Sequence, residues 1–169
     1  MNKFPITQSE FNSHIHSICQ QIAASKWQPD YVVGISRGGL SAAVMISHYF
    51  DVPMKPLQIS LRDSGDCVSD CGMAEDAMGY DGHPKNILVV DDINDSGATL
   101  NWLMDDWPTT CLPNDPRWNN VWNNNVKFAV VVDNLASKCN VKMDYVGLEI
   151  NKAENDVWID FPYEDWWSK

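Results

Sequence analysis

The sequence predicts an α/β fold with a mostly parallel central sheet flanked by helices. Early in the chain, apolar strand candidates alternate with helical patterns, which is typical of such folds. The segment from Asn86 to Val90 (NILVV) is apolar on both faces, as a central parallel strand is. The length of 169 residues suits one domain, so we expect a single domain over residues 1–169.

The first half of the chain begins with a predicted helix. Thr7 and Glu10 have the spacing of a capping box. Apolar residues then recur at intervals of four, three and four, namely Phe11, Ile15, Ile18 and Ile22. An apolar strand over 31–35 follows, and a tight glycine turn connects it to a buried helix over 40–50, which is the opening of a βαβ unit. A second strand is expected over 54–61.

The remaining elements surround the central strand candidate. Residues 62–84 hold four glycines and six acids without a clear period, so we expect a mobile loop, with a short hairpin as an alternative for part of it. A helix is predicted over 97–107. Residues 108–125, rich in Pro, Asn and Trp, are interpreted as an insertion that forms a surface or subunit contact. Two more strands are expected over 127–133 and 144–150.

The charge balance argues against several classes of partner. Twelve Lys and Arg residues stand against 23 Asp and Glu, giving a net charge of −11, which disfavours nucleic acid and anionic membrane surfaces. No apolar run reaches the length of a membrane span, and no signal peptide is recognisable. Five cysteines without scaffold spacing favour the cytoplasm. Cys67, Cys71 and His83 are too few and too widely spaced for a zinc site, and a reversible disulfide is equally disfavoured.

The chemistry is concentrated in residues 91–99, DDINDSGAT, where the central strand meets a helix. Ligands of open α/β sheets bind at the carboxyl ends of the strands. Small residues at a helix N-terminus offer backbone N–H groups and hydroxyls to a phosphate. Asp91 and Asp92 can accept hydrogen bonds from sugar hydroxyls or hold a divalent cation, and Asp95 is placed to act as an acid or base. An acidic pocket of the receiver-domain type and a purely structural strand end are the alternatives.

This stretch resembles the signature of type I phosphoribosyltransferases: an apolar strand, two acids, two residues, then Asp-Ser/Thr-Gly-x-Thr. A receiver domain carries its acidic pair near its start, unlike this chain. The resemblance implies that Asp91 and Asp92 contact the ribose hydroxyls of phosphoribosyl diphosphate. It implies that Asp95 faces N7 of a purine as the catalytic proton acceptor or donor. The residues that would wrap the 5′-phosphate are Asp95, Ser96, Gly97, Ala98 and Thr99.

Two further segments are similar to parts of the same family. Residues 36–39, SRGG, resemble the diphosphate loop of xanthine-guanine phosphoribosyltransferases, although a glycine pair after a strand is also common turn chemistry. The resemblance implies that Arg37 and Gly38 contact the diphosphate and that a cis peptide bond precedes Arg37. Residues 62–84 fall where the family keeps a flexible hood that closes over the substrates, the alternative being an ordinary acidic surface loop.

The C-terminal sequence VWIDFPYE resembles the purine-binding end of the xanthine-guanine/hypoxanthine branch. It implies that the Trp158 ring stacks on the base and that backbone carbonyls near Trp158 and Ile159 accept from a 2-amino group. A core position is the alternative for Trp158 and the prediction for Phe161. The family lysine that reads the base corresponds here to Asn134, which can donate only a neutral hydrogen bond, unless Lys138 supplies the charge.

The resemblance therefore implies a purine-salvage enzyme that transfers ribose 5-phosphate from phosphoribosyl diphosphate to a 6-oxopurine (guanine, xanthine or hypoxanthine). It implies Mg²⁺ as cofactor, with Asp92 as the protein contact, and a homodimer or homotetramer. A regulatory protein that binds phosphoribosyl diphosphate without transfer is one alternative. A transferase for another nucleobase is a second.

Overall fold

Five parallel strands form a central sheet, and two further parallel strands form a small second sheet. The structure, a computed structural model, describes residues 2–61 and 65–169. The strands are β1 (Asn2–Pro5), β2 (Tyr31–Ser36), β3 (Met54–Gln58), β4 (Ile87–Asn94), β5 (Val126–Asn134), β6 (Tyr145–Ile150) and β7 (Val157–Asp160). The helices are α1 (Gln8–Ala24), α2 (Gly39–Phe50), α3 (Cys71–Met78) and α4 (Ala98–Thr110), with 3₁₀ turns at Pro116–Asn120 and Trp166–Ser168. The order β3-β2-β4-β5-β6 and the pair β1-β7 confirm the predicted α/β fold with a mostly parallel sheet.

The central strand β4 is buried on both faces, as its sequence predicts. Ile87 and Val89 belong to the apolar cluster that contains the buried residues of α3 and α4. Leu88 and Val90 belong to the cluster that contains those of α1 and α2. Because side chains alternate along a strand, a continuous apolar run serves both layers at once.

The predicted first helix is α1, and its capping box is present. The Thr7 hydroxyl oxygen accepts from the Glu10 N–H at 3.2 Å, and the Glu10 carboxylate accepts from the Thr7 N–H at 2.8 Å. The predicted apolar stripe is buried, namely Phe11, Ile15, Ile18 and Ile22. Among the helices of the described part of the chain, none is both long and apolar enough to span a membrane.

The prediction of a mobile loop over 62–84 is partly wrong, because part of this segment is a helix. Residues 62–64 lie outside the described residues, and an antiparallel bridge between Ile59 and Cys67 matches the short hairpin alternative. Residues 71–78 form α3, which the Asp70 side chain caps by accepting from the Met73 N–H at 2.9 Å. Its buried residues are Met73, Ala74, Ala77 and Met78. Two helical turns are too short to show a clear period in the sequence, and tertiary burial stabilises them.

The segment 108–125, predicted as an insertion at the surface, is exposed over much of its length but also contributes to the core. α4 continues past Trp107 to Thr110, and Trp118 and Val121 are buried. The Trp122 ring stacks on Trp118 at 5.8 Å and lies 5.9 Å from Trp107. These tryptophans extend the core on the α3–α4 face of the sheet.

Strand β1 was not predicted, because its four residues are all exposed and show no apolar pattern. It pairs with β7, and Lys3 is the register partner of Trp158. The N-terminus of the chain therefore supports the C-terminal segment whose tryptophan is a predicted site residue.

Candidate active site

A cavity of about 1160 Å³ lies at the carboxyl end of the central sheet. Loops after β2 and β4 form one side, and the segment around β7 forms the other. All of the predicted site residues except Asn134 line it, namely Arg37, Gly38, Asp91, Asp92, Asp95, Ser96, Gly97, Ala98, Thr99, Trp158 and Ile159. The fold thus brings residues more than 100 positions apart in the chain to one space.

The connection from β4 to α4 is short and requires a glycine. Gly97 has φ +87°, a backbone conformation that side chains with a Cβ rarely adopt. A Cβ at Gly97 would also collide with the Cys139 backbone. The Ser96 hydroxyl accepts from the Ala98 N–H at 3.3 Å, and α4 begins at Ala98. The N-terminus of α4, with its partial positive charge, therefore opens on the cavity.

The loop after β2 lies against the acidic residues of β4. The peptide bond between Ser36 and Arg37 is cis, as the resemblance implies. A Cβ at Gly38 would collide with the Asp92 carboxylate, so only glycine permits this approach. Helix α2 begins directly afterwards, at Gly39. Two helix N-termini and the Arg37 side chain thus meet at one cavity.

Asp91 and Asp92 form an adjacent acid pair on the cavity wall. Burial, and then the charge of Asp92, raise the pKa of Asp91 well above its usual range. The Tyr163 hydroxyl donates to the Asp92 carboxylate at 2.7 Å. Burial and the Asp92 charge also raise the Tyr163 pKa, which keeps that hydroxyl protonated and able to donate. Tyr163 lines the cavity and was assigned no role from the sequence.

Asp95 is paired with a lysine that the sequence analysis missed. The Lys152 ammonium lies 3.0 Å from the Asp95 carboxylate, and both side chains are largely buried. Lys152 lines the cavity and follows β6 after a single residue. Its position just beyond the carboxyl end of a parallel strand is the signal that could have identified it.

Asn134 lies behind this pair and is not among the described residues that line the cavity. Its side-chain amide donates to the Asp95 backbone oxygen at 3.0 Å, and its oxygen accepts from the Lys152 N–H at 3.0 Å. Lys138 is exposed and also does not line the cavity.

The aromatic side of the cavity is formed by the C-terminal segment. Trp158 is 39% exposed and lines the cavity, whereas Phe161 is 2% exposed and is a core residue, as predicted. The Tyr163 ring stacks on Phe161 with centroids 5.4 Å apart. Glu164 accepts a hydrogen bond from the Trp158 side chain, and burial is the main cause that raises the Glu164 pKa.

A sequence profile described as the phosphoribosyl transferase domain matches residues 7–166. The chain belongs to the phosphoribosyltransferase family. The match confirms the predicted family and, with it, the predicted class of enzyme, a pentosyltransferase. No curated protein matches the sequence significantly.

Solved structures show the same fold. The chain is similar to a purine phosphoribosyltransferase from Pyrococcus horikoshii, with 23% identity, TM-score 0.67, and 97% of this chain and 95% of that chain covered. It is similar to a xanthine-guanine-hypoxanthine phosphoribosyltransferase from Helicobacter pylori, with 18% identity, TM-score 0.68, and coverages of 99% and 95%. A hypothetical protein from Neisseria gonorrhoeae with bound ppGpp aligns with 20% identity, TM-score 0.66, and coverages of 96% and 89%.

Phosphoribosyltransferases generally use Mg²⁺ with phosphoribosyl diphosphate, and the acid pair fits that ion. Mg²⁺ keeps several waters and binds through one or two carboxylates together with substrate phosphates. Asp91 and Asp92 are adjacent acids close to the start of α4, and a dication would relieve the repulsion between their carboxylates. Among residues 2–61 and 65–169, no cluster of three or more metal-ligating side chains is found. The described residues therefore suit an ion that is held jointly by protein and substrate.

Proposed function

We propose that this phosphoribosyltransferase transfers ribose 5-phosphate from phosphoribosyl diphosphate to N9 of a 6-oxopurine and releases diphosphate. The observation that carries the proposal is the single cavity that unites a phosphate loop, an acid pair, Asp95 and an exposed tryptophan. These parts match the three portions of the substrates: phosphate groups, ribose hydroxyls and a flat base.

The phosphate groups are bound where backbone dipoles converge. Residues 95–99 at the start of α4 would hold the 5′-phosphate through N–H groups and hydroxyls. Arg37 and Gly38 at the start of α2 would hold the diphosphate, since an arginine forks well onto phosphate oxygens. These contacts invert the local field of a chain whose net charge is −11.

The ribose is oriented by Asp91 and Asp92, which would accept hydrogen bonds from its hydroxyls. Asp92 would hold Mg²⁺ together with the substrate, and the ion would supply neutralisation of charge on the diphosphate leaving group. Tyr163 keeps the Asp92 carboxylate in place through its 2.7 Å hydrogen bond. Holding both reactants in this geometry supplies much of the catalysis.

Asp95 would handle the proton of the base. A purine that carries its imidazole proton on N7 offers the N9 lone pair to C1 of the ribose. As the bond from C1 to N9 forms, the bond from C1 to the diphosphate oxygen breaks and Asp95 accepts the N7 proton. The Trp158 ring would stack on the base and keep N9 directed at the ribose.

The test is incubation with phosphoribosyl diphosphate, Mg²⁺ and, separately, guanine, hypoxanthine, xanthine, adenine and uracil. We expect nucleotide from the three 6-oxopurines and none without Mg²⁺. Asp92→Asn and Thr99→Ala should weaken phosphoribosyl diphosphate binding, measured by calorimetry. Binding without product from any base would contradict the proposal and support the regulatory alternative. Product chiefly from uracil would assign another nucleobase.

Two finer parts of the proposal concern assembly and location. We propose a homodimer or homotetramer, which light scattering after gel filtration measures. We propose action in the cytoplasm, supported by five free cysteines in the described residues. The proposed hood over 62–84 is restricted by α3, because four of its residues are packed in the core, namely Met73, Ala74, Ala77 and Met78.

A further inference from the structure

The pair of Asp95 and Lys152 places an acid and a cation side by side on the cavity wall. The Lys152 ammonium is 3.0 Å from the Asp95 carboxylate, and the Lys152 side chain is only 16% exposed. Both residues line the cavity. A lysine loses hydration at such a position, so its remaining hydrogen-bonding capacity is directed at whatever enters the cavity.

Asn134 connects the two members of this pair from behind. Its amide donates to the Asp95 backbone oxygen at 3.0 Å and more weakly to the Asp95 carboxylate at 3.4 Å. Its side-chain oxygen accepts from the backbone N–H of Lys152 at 3.0 Å and from the backbone N–H of Ala136 at 3.1 Å. Asn134 is 6% exposed. Its polar atoms are thus engaged with the protein, and it joins the loop after β4 to the loop after β6.

The chemistry of a purine edge matches this arrangement. In the tautomer that carries its proton on N7, a 6-oxopurine presents the N7 donor beside the O6 acceptor, whereas adenine presents N7 beside an amino donor. If Asp95 faces N7, as the proposed function has it, a donor adjacent to Asp95 faces the 6-position. An ammonium at that position donates a hydrogen bond to O6 of a 6-oxopurine. It cannot form a hydrogen bond with the 6-amino group of adenine, because both groups are donors.

We propose that Lys152 donates to the 6-oxo oxygen of the base and selects 6-oxopurines, with Asn134 as the residue that positions it beside Asp95. The proposal rests on the proposed function for the pose of the base. It assigns base recognition to a residue just after β6. The resemblance instead implied recognition at Asn134, at the end of β5.

Lys138 does not satisfy the same requirement. Its backbone N–H donates to the Ser96 oxygen at 3.0 Å, but its side chain is exposed and lies outside the cavity lining. Lys138 is therefore the lysine to compare with Lys152 in an experiment.

The experiment measures kcat/KM for hypoxanthine and adenine in the wild type and in Lys152→Gln, Lys152→Arg, Lys138→Gln and Lys85→Gln. Lys85 is the matched control, because it also pairs with an aspartate, Asp76, at 3.3 Å, near the opposite end of β4. We expect Lys152→Gln to lower the hypoxanthine-to-adenine ratio about 10- to 100-fold, the effect of losing a charged hydrogen bond. Lys152→Arg should keep most of the ratio, and Lys85→Gln all of it. Circular dichroism monitors folding of each variant.

An unchanged ratio in Lys152→Gln overturns the proposal, as does a loss seen in Lys138→Gln instead. The affinities for inosine and adenosine 5′-monophosphates, measured by calorimetry, give the corresponding ratio without turnover. A wild type that converts no base contradicts the proposed transferase, while the ratio of the two nucleotide affinities in Lys152→Gln still decides the role of Lys152.

The positioning role of Asn134 is tested by combining variants. Asn134→Ala should lower the hypoxanthine-to-adenine ratio in the wild type and leave it unchanged in Lys152→Gln. A merely structural role would reduce kcat/KM for both bases equally and leave the ratio intact in either background. That second result overturns the positioning role.

Discussion

The two walls of the cavity are constructed in different ways. The phosphate wall, so named because the proposed function assigns the phosphate and ribose to its residues 91–99, is one continuous stretch in which strand, glycine turn and helix follow one another. The base wall, to which the proposed function assigns the base, consists of Lys152, Trp158 and Tyr163 with Asn134 behind them, and these residues are up to 29 positions apart in the chain. Local backbone geometry determines the structure of the phosphate wall, so its sequence forms a recognisable motif. The second depends on which strands are neighbours, and there a lysine lines the cavity just after β6, whereas the base contact was expected at the end of β5.

The largest expected effect is at Asp95, where the two walls meet. Asp95→Ala should lower kcat about 10²- to 10⁴-fold, since in the proposed function it removes the group that accepts the base proton. The affinity for phosphoribosyl diphosphate should change much less, because backbone groups of the phosphate wall remain. Steady-state kinetics and calorimetry measure the two quantities.

Asp105→Ala is the control for Asp95→Ala, because Asp105 is an exposed aspartate on α4. It should retain wild-type kinetics. A loss of binding in Asp95→Ala as large as the loss of turnover would show that the two walls do not act separately.

Gly97→Ala tests the local geometry of the phosphate wall. A positive φ costs a residue with a Cβ about 1–2 kcal/mol. The collision with the Cys139 backbone adds to that cost. Gly82 has a similar φ of +88° with no atom within 4 Å of an added Cβ, so Gly82→Ala isolates the φ cost. Chemical denaturation should show at least twice the loss of unfolding free energy for Gly97→Ala. Equal losses would mean that the close approach contributes nothing.

Trp158→Ala tests the base wall in the same manner. Removing the stacking surface should raise KM for the base about 10-fold, since stacking on an aromatic side chain contributes about 1–3 kcal/mol per base. KM for phosphoribosyl diphosphate should stay unchanged. Trp166→Ala is the control, because Trp166 is 69% exposed and outside the cavity lining. A rise in KM for phosphoribosyl diphosphate alone would contradict the assignment of Trp158 to the base wall.

The smallest effect is expected from the buried acid pair. Burial, and then the charge of Asp92, raise the Asp91 pKa, so the folded protein keeps a proton that the unfolded chain has released. The stability that this proton provides is fully present below the unfolded pKa of about 4 and is lost as pH rises through the folded pKa. Asp91→Asn has no carboxyl proton to lose, so at pH 7 the variant should have a higher melting temperature than the wild type.

Melting curves of Asp91→Asn and the wild type between pH 4 and 8 should converge toward pH 4. Asp105→Asn removes the same charge from an exposed position and should not reproduce the effect. A wild type more stable than Asp91→Asn at pH 7 would contradict the sign of the shift. The variant should nevertheless bind phosphoribosyl diphosphate more weakly, because the proposed function has the Asp91 carboxylate accept hydrogen bonds from the ribose hydroxyls.

Structural features that depend on residues close together in the sequence were predictable. The capping box at Thr7, the apolar run of β4 and the acid-glycine stretch after it are each written in consecutive or helically spaced residues, and the structure has them as expected. The edge strand β1 and the helix α3 were missed. The first buries nothing, and the second is two turns long and is stabilised by residues of another layer.

By itself the sequence determined the fold class, the family and the cavity position of residues 91–99, because strand period, helix capping and a glycine at positive φ act within a few residues. The tertiary structure alone decided that Trp118 is core, that Asn134 lies behind the cavity and that Lys152 faces it. These positions depend on parallel pairing of β5 with β6, which brings Asn134 beside Ile150 and so within reach of Lys152. Such pairing is stabilised by burial summed over the whole sheet, and no local residue pattern encodes it.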